Sequence, residues 1–136
     1  MNIEFTNKEY RLLLDLVYIG NWILNSTREN DRIVDYDMLE EKIFAQCGAQ
    51  GMKSLMQVVD GRIYPSRAYA EGGIHEAIAD YEDAVFFEIL AEELARRDMD
   101  YAEISPDRMD ELNSRMDAYI SEFEQNGVEN ISIDNM

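Results

Sequence analysis

Two short runs share the pattern Asp-x-Asp-x-x-Glu: Asp35, Asp37 and Glu40, then Asp98, Asp100 and Glu103. Clustered carboxylate oxygens suit a hard divalent cation, so each run is a candidate Mg²⁺ or Ca²⁺ ligand set. Neither has the glycine or the spacing of a calcium-binding EF-hand loop. In a chain with 29 Asp and Glu among 136 residues, such runs also arise by coincidence. The expected metal and cofactor content is therefore none, and a metal-dependent enzyme built on Asp98, Asp100 and Glu103 is the alternative. His75 is the single histidine and lacks the second His of a zinc-protease helix motif. It is expected at the surface or in a cap. Cys47, the single cysteine, precedes Gly48 at a predicted helix end, where the potential disfavours a thiolate. No nucleophile–base pair and no phosphate-binding glycine loop is present, so no catalytic residue is assigned.

The net charge is −17, with 12 Lys and Arg. The excess is uneven. Residues 71–103 hold 11 acids and two bases, for −9. Residues 51–70 carry Lys53, Arg62 and Arg67 against Asp60, for +2. Glu76 and Asp80, and again Glu88 and Glu92, are like charges four apart, which costs a helix a few tenths of a kcal/mol. Asp80, Asp83 and Asp107 fall near predicted helix starts, where acids are favoured. The expected interaction face is Glu76, Asp80, Glu82, Asp83, Glu88, Glu92, Asp98, Asp100 and Glu103. Its partner would be a basic protein surface, such as a nucleic-acid-binding groove. Duplex DNA carries about one charge per 1.7 Å, so −17 corresponds to roughly eight or nine base pairs. Direct binding to nucleic acid or to an anionic membrane is not expected. Arg62, Tyr64, Arg67 and Tyr69 form a second, smaller contact candidate, through which a homo-oligomer could also form.

The elements that position these residues follow from local signals. Ile3 and Phe5 alternate with polar residues, as in a short strand. Thr6 and Glu9 make a capping box, with Phe5 and Tyr10 at the staple positions. A helix is predicted over 7–25, with its apolar stripe widened by Leu12, Leu16, Ile19 and Leu24, as in a central helix. A second helix runs from 33 or 35 to 46, with Met38, Leu39, Ile43 and Phe44 on its buried face and Gly48 as its stop. A helical turn at 52–56 precedes a hairpin near 58–64, built on Asp60-Gly61 and ended by Pro65. Gly72-Gly73 separates it from a short helix over 74–80. A junction at 80–83 leads to a helix over 82–97, with Val85, Phe86, Ile89, Leu90 and Leu94 buried. Glu92/Arg96 and Glu93/Arg97 are spaced to pair. Ser105-Pro106 opens the last helix, whose stripe is Met109, Leu112, Met116, Tyr119 or Ile120, and Phe123. Gly127 closes it, and 128–133 reads as a closing strand. The sum is a mainly α (α+β) fold: one domain over 1–136, bundle-like, with four or five helices and a small antiparallel β element. A single cysteine and the lack of a visible secretory leader or apolar span point to the cytoplasm.

Residues 9–22, 81–98 and 127–133 resemble small acidic bacterial and phage-associated proteins. The resemblance covers most of the chain and rests on motifs that look structural. Where a Trp is expected after the acidic junction, this chain has Phe86-Phe87. The resemblance implies a small acidic helical protein and carries over no activity. By analogy of size and charge, phage-borne proteins of this kind include inhibitors of host-defence nucleases.

Overall fold

The computed structural model describes residues 1–136. Thr6 sets the first helix. Its side-chain oxygen accepts the Glu9 N–H at 3.1 Å, and its hydroxyl donates to the Glu9 carboxylate at 3.0 Å. The N-cap half of the capping box therefore forms, while Glu9 returns to the Thr6 hydroxyl rather than to its backbone N–H. Helix α1 (Asn7–Asn25) buries Tyr10, Leu14, Asn21 and Asn25. Its opposite side is not polar. Leu12, Leu16 and Ile23 are exposed, so α1 is not the fully surrounded helix that its apolar content suggests.

Helix α2 (Val34–Phe44) runs into a 3-10 turn, Ala45–Cys47. The expected face is half right. Phe44 is buried and Ile43 half-buried, but Met38 and Leu39 are exposed. The inward positions are taken by Asp37, Glu40 and Glu41, which with Phe44 repeat at helical spacing. Gly48 keeps right-handed backbone (φ −61°), because the 3-10 turn prolongs the helical path. The left-handed residue is Gly51, at φ 73°.

A further 3-10 turn, Lys53–Leu55, leads into strands β1 (Met56–Val59) and β2 (Arg62–Pro65). They pair antiparallel, with Val59 opposite Arg62 and Met56 opposite Pro65. Asp60 (φ 51°) and Gly61 (φ 78°) are both left-handed, as a type I′ turn requires. Ser66 then accepts the Tyr69 N–H and donates to the Ser54 carbonyl at 2.6 Å. This caps α3 (Arg67–Tyr69), which widens into a π turn over Ala70–Ile74. Gly73 has φ 115° there and leaves helical backbone, so the glycine pair marks a break between two helical stretches, as expected.

Helix α4 (His75–Asp98) is unbroken. The junction expected at 80–83 does not exist, since that stretch holds neither Gly nor Pro to interrupt the ladder. Asp80 and Asp83 therefore lie inside the helix, away from the stabilising N-terminal end. Glu92 pairs with Arg96 at 2.8 Å, but Arg97 turns to Asp98 and Tyr119 instead of Glu93. Ser105 and Pro106 lead through a 3-10 turn, Pro106–Arg108, into α5 (Met109–Asn126). Leu112 and Phe123 are buried and Met116, Tyr119 and Ile120 half-buried, while Met109 is exposed. Gly127, at φ 57°, ends the helix.

Neither terminal strand forms. After Gly127 the backbone closes on itself, with the Glu129 and Ile131 N–H groups donating to the Asn126 and Val128 carbonyls. The Ile3 and Phe5 backbone has no ladder partner. The fold is mainly α, with one small antiparallel β element.

The chain divides into two compact units, Met1–Ile78 and Ala79–Met136. The first packs Tyr10, Leu14, Phe44, Cys47, Tyr69 and Ile74 into one core. Phe44 and Tyr69 meet edge to face at 5.1 Å, and Tyr18 and Tyr69 at 5.2 Å. The second packs Ala95, Met99 and Leu112, with Met116 and Tyr119 against them. In α4 every residue from 79 to 84 is exposed. No helix is long and apolar enough to cross a membrane.

Candidate functional site

The acids expected to form an interaction face are nearly all in water. Glu76, Asp80, Glu82, Asp83, Glu88, Asp98, Asp100 and Glu103 are exposed, and Glu92 is half-buried beside Arg96. They do not share one side of α4. At about 100° per residue, Glu88 and Glu92 sit roughly a quarter to a half of a turn round from Asp80 and Asp83. Asp98 is committed locally. It accepts from Arg97 at 2.9 Å and from the Tyr119 hydroxyl, and those bonds hold its carboxyl below the usual range. Asp100 and Tyr101 take left-handed backbone (φ 57° and 55°) just past the helix end. Asp98, Asp100 and Glu103 do not converge, and no three His, Cys, Asp or Glu side chains are grouped to hold a metal ion.

What the sequence reading missed on α4 is apolar. Phe86 and Ile89, expected in the core, are 51% and 59% exposed. The buried face is set by Ala91, Ala95 and Met99, and the two alanines allow close packing. Phe86 and Ile89 fall on the other side of the helix. With Glu82 and Glu93, also exposed, they make one stripe of spacing four, three and four. The stripe has two apolar anchors between two carboxylates. The signal was available: two alanines four apart mark a packing face as clearly as leucines do.

The second contact candidate breaks up. Arg62 pairs with Glu41 at 3.1 Å and Arg67 with Glu71 at 2.6 Å, and Tyr64 is exposed. Tyr69 is not a surface residue. It is 1% exposed, and its hydroxyl donates to Asp15 at 2.8 Å. Burial, reinforced by Asp15, pushes its phenol up. Arg11 binds the same carboxylate at 2.7 Å and lies over the Tyr69 ring. His75 is neither a free surface group nor a cap. Its Nε2 is 2.6 Å from the Tyr18 hydroxyl, and its ring meets Trp22 edge to face at 4.8 Å.

A polar cluster in the first unit was not foreseen. Asn25 is fully buried. It donates to the Asn21 side chain and to the Ile33 carbonyl, and accepts the Ile33 N–H at 2.7 Å. Asn21 then donates to both Asp37 and Glu40. Arg32 grips Asp37 through two bonds, at 2.6 and 2.8 Å. Glu41 accepts from the Ile63 N–H at 2.7 Å and from Arg62, tying α2 to β2. Asn21, Arg32, Asp37, Glu40, Glu41 and Arg62 line a cleft of ≈ 340 Å³ with Val34, Ile63 and Tyr64. The two neighbouring carboxyls are driven apart. The Arg32 bonds hold Asp37 below its ordinary range, while burial, with Asp37 adding to it, pushes Glu40 above its own. Glu41 is also held low, chiefly by the Ile63 N–H. Every charge here except Glu40 has an opposite partner within ion-pair distance. The cleft is thus an internal clamp whose donors are already occupied.

No family model, curated protein or solved structure matches this chain.

The remaining surface features are therefore read on their own chemistry. Cys47 is fully buried, and the Tyr10 hydroxyl donates to its sulfur at 3.4 Å, so it presents no accessible thiol. The α4 stripe is open, carries its own apolar anchors, and lies in the acid-rich part of the chain.

Proposed function

We propose that this protein is a non-enzymatic, acidic protein-binding module. It docks the α4 stripe and its surrounding carboxylates on a basic surface of another protein. The observation that carries this is the exposed run Glu82, Phe86, Ile89 and Glu93. Solvated carboxylates alone would only keep a protein soluble. Apolar anchors inside an acidic rim have the anatomy of an interface, with a dry centre and a charged border. Residues 79–136 carry 17 acids and four bases, for −13. A surface so charged selects a Lys/Arg-rich partner and speeds encounter with it.

The partner class that fits is a groove built to hold a nucleic-acid backbone, for which the acidic unit competes. This is how an inhibitor of a nuclease complex acts, and a phage or other mobile element is a natural carrier for one. A reducing, cytoplasmic setting suits a chain with one buried cysteine.

The test is capture from native lysate at low and high salt, with wild-type protein and with Glu82→Lys/Glu93→Lys. The captured protein is then assayed for displacement from nucleic acid. The reading requires a basic partner that is lost at high salt and with the double variant. Charge reversal at Glu88 and Glu92 should weaken capture more than reversal at Glu4 and Glu129. Equal losses from both pairs, or binding indifferent to salt, sinks the assignment.

A further inference from the structure

The cleft between α2 and β2 holds one charge that its own walls leave unmatched. Three carboxylates (Asp37, Glu40 and Glu41) and two guanidiniums (Arg32 and Arg62) line it, so with all five ionised the lining carries −1. Four of the five are paired off, Arg32 with Asp37 at 2.6 Å and Arg62 with Glu41 at 3.1 Å. Glu40 is the remainder. It is half-buried, accepts from the Asn21 amide, and has no cation at ion-pair distance. A carboxylate kept there destabilises the fold, because its charge is partly desolvated without a counter-charge. Its two acidic neighbours in the cleft are neutralised and it is not, which is the mark of a binding group rather than of a structural one.

The other lining groups say what kind of ligand fits. Both guanidiniums are already held by carboxylates, so an anion would have to break an ion pair to enter. A cation breaks nothing. A bare metal ion lacks a ligand set, since no three acid, His or Cys side chains are grouped to hold one. The remaining walls are carbon: Val34 and Tyr64, both exposed, and half-buried Ile63. They suit an aliphatic stem, and a tyrosine ring face attracts an ammonium. A cleft of ≈ 340 Å³ is of the size that takes a small ligand.

We propose that the α2–β2 cleft binds one organic ammonium ion on a short aliphatic stem. The charge pairs with Glu40 and the stem lies against Val34, Ile63 and Tyr64. The site belongs to the first unit and does not depend on the α4 stripe. A free alkylamine and a lysine side chain of another protein both offer this group.

The experiment is a nitrogen–proton correlation NMR titration of the full chain with n-butylammonium chloride, at neutral pH and constant ionic strength. The Asn21 side-chain amide and the Ile63 N–H report from opposite walls. Both should shift and saturate, and n-butanol and butyrate should leave them in place. Methylammonium, which lacks the stem, should bind more than about tenfold more weakly. Nα-acetyl-lysine N-methylamide separates the two sources. Saturation with it as well assigns the site to lysine side chains, and saturation with butylammonium alone assigns it to free amines.

Glu40→Gln retains an acceptor for Asn21 and so retains the fold, which circular dichroism checks. It should weaken binding by more than about tenfold, the loss of a bond to a charged group. Tyr64→Ala should weaken binding about two- to fivefold, and keeps the test open where Glu40→Gln disturbs the clamp. Glu129→Gln, an exposed acid of the second unit, should bind as wild type does. A titration that does not saturate overturns the proposal. So do equal affinity in Glu40→Gln, wild-type affinity in Tyr64→Ala, and n-butanol or methylammonium matching n-butylammonium. Shifts confined to the acids of α4 also overturn it, since they are ordinary counter-ion binding by a chain of net −17.

Discussion

The two units use acidic residues in opposite ways. Residues 1–78 hold 12 acids and eight bases, for −4, and turn four of the acids, Asp15, Asp37, Glu40 and Glu41, partly inward. Asp15 takes a bond from buried Tyr69, Asp37 and Glu40 share the amide of Asn21, and Glu41 holds a strand N–H. Residues 79–136 have four bases for 17 acids, and most of those acids face water. Their cores differ too. The first is centred on the rings of Tyr10, Phe44 and Tyr69, and the second combines Ala91, Ala95 and Met99 of α4 with Leu112 and Phe123 of α5. A carboxylate can be a structural bolt where donors wait for it, and a contact or solubility group where none does. Counting acids along a sequence does not separate the two uses.

That contrast can be broken most severely at Phe44. Phe44→Ala should cost about 3–5 kcal/mol, because a fully buried ring leaves a cavity among Tyr69 and its neighbours. Trp22, the single tryptophan, lies in the first unit, so its fluorescence reports the unfolding shift directly. Asn25→Ala comes next. It strips the partners from both the N–H and the carbonyl of Ile33. A loss of about 2–3 kcal/mol in a denaturant titration is expected, and a change near zero would mean that the Asn21–Asn25 bridge is dispensable.

Asp37 and Glu40 sharpen the comparison within a single helix. Asp37 is held low in the folded state, so its contribution is present above the ordinary Asp range and fades as pH falls through its folded value. Asp37→Asn should cost about 1 kcal/mol at neutral pH, after the screening that exposed Arg32 brings, and much less in strong acid. Glu40 is pushed up by burial, so it favours folding below the ordinary Glu range and loses that contribution as pH rises through its folded value. Glu40→Gln keeps an acceptor for Asn21 and removes a buried charge. It should raise neutral-pH stability by up to about 1 kcal/mol, with the gain vanishing in acid. A parallel pH response of the two variants would refute their opposite roles. The smallest effect belongs to the second unit. Asp98→Asn loses a surface ion pair with Arg97, and its melting curve should match that of the wild type.

Local signals in the sequence carried well. Thr6 and Glu9 marked the first residue of α1, Asp60-Gly61 marked the hairpin turn, and Gly127 marked the end of α5. Each works through neighbours a few residues away. What failed depended on distant partners. Nothing near Glu41 announces that it will cap the N–H of Ile63, and nothing near Asn25 announces Ile33 as its plug. Met38 and Leu39 were placed inside because apolar residues usually go there; the acids at 37, 40 and 41 displaced them once Arg32, Arg62 and Asn21 supplied donors. The acidic region itself was visible from composition. Its apolar centre, Phe86 and Ile89, was hidden by the same assumption that apolar means buried.

The wholly exposed stretch at 79–84 has a kinetic consequence. None of its side chains is buried, and only Asp83 and Ala84 edge a cleft beside Ile120 and Phe123, so little packing slows the opening of its backbone bonds. Amide protons there should exchange with deuterated solvent through brief local fraying, well ahead of those flanking Ala91 and Ala95 in the same helix. A protease that needs an extended strand would find its first foothold in the first half of α4, where the ladder is continuous and yet least defended.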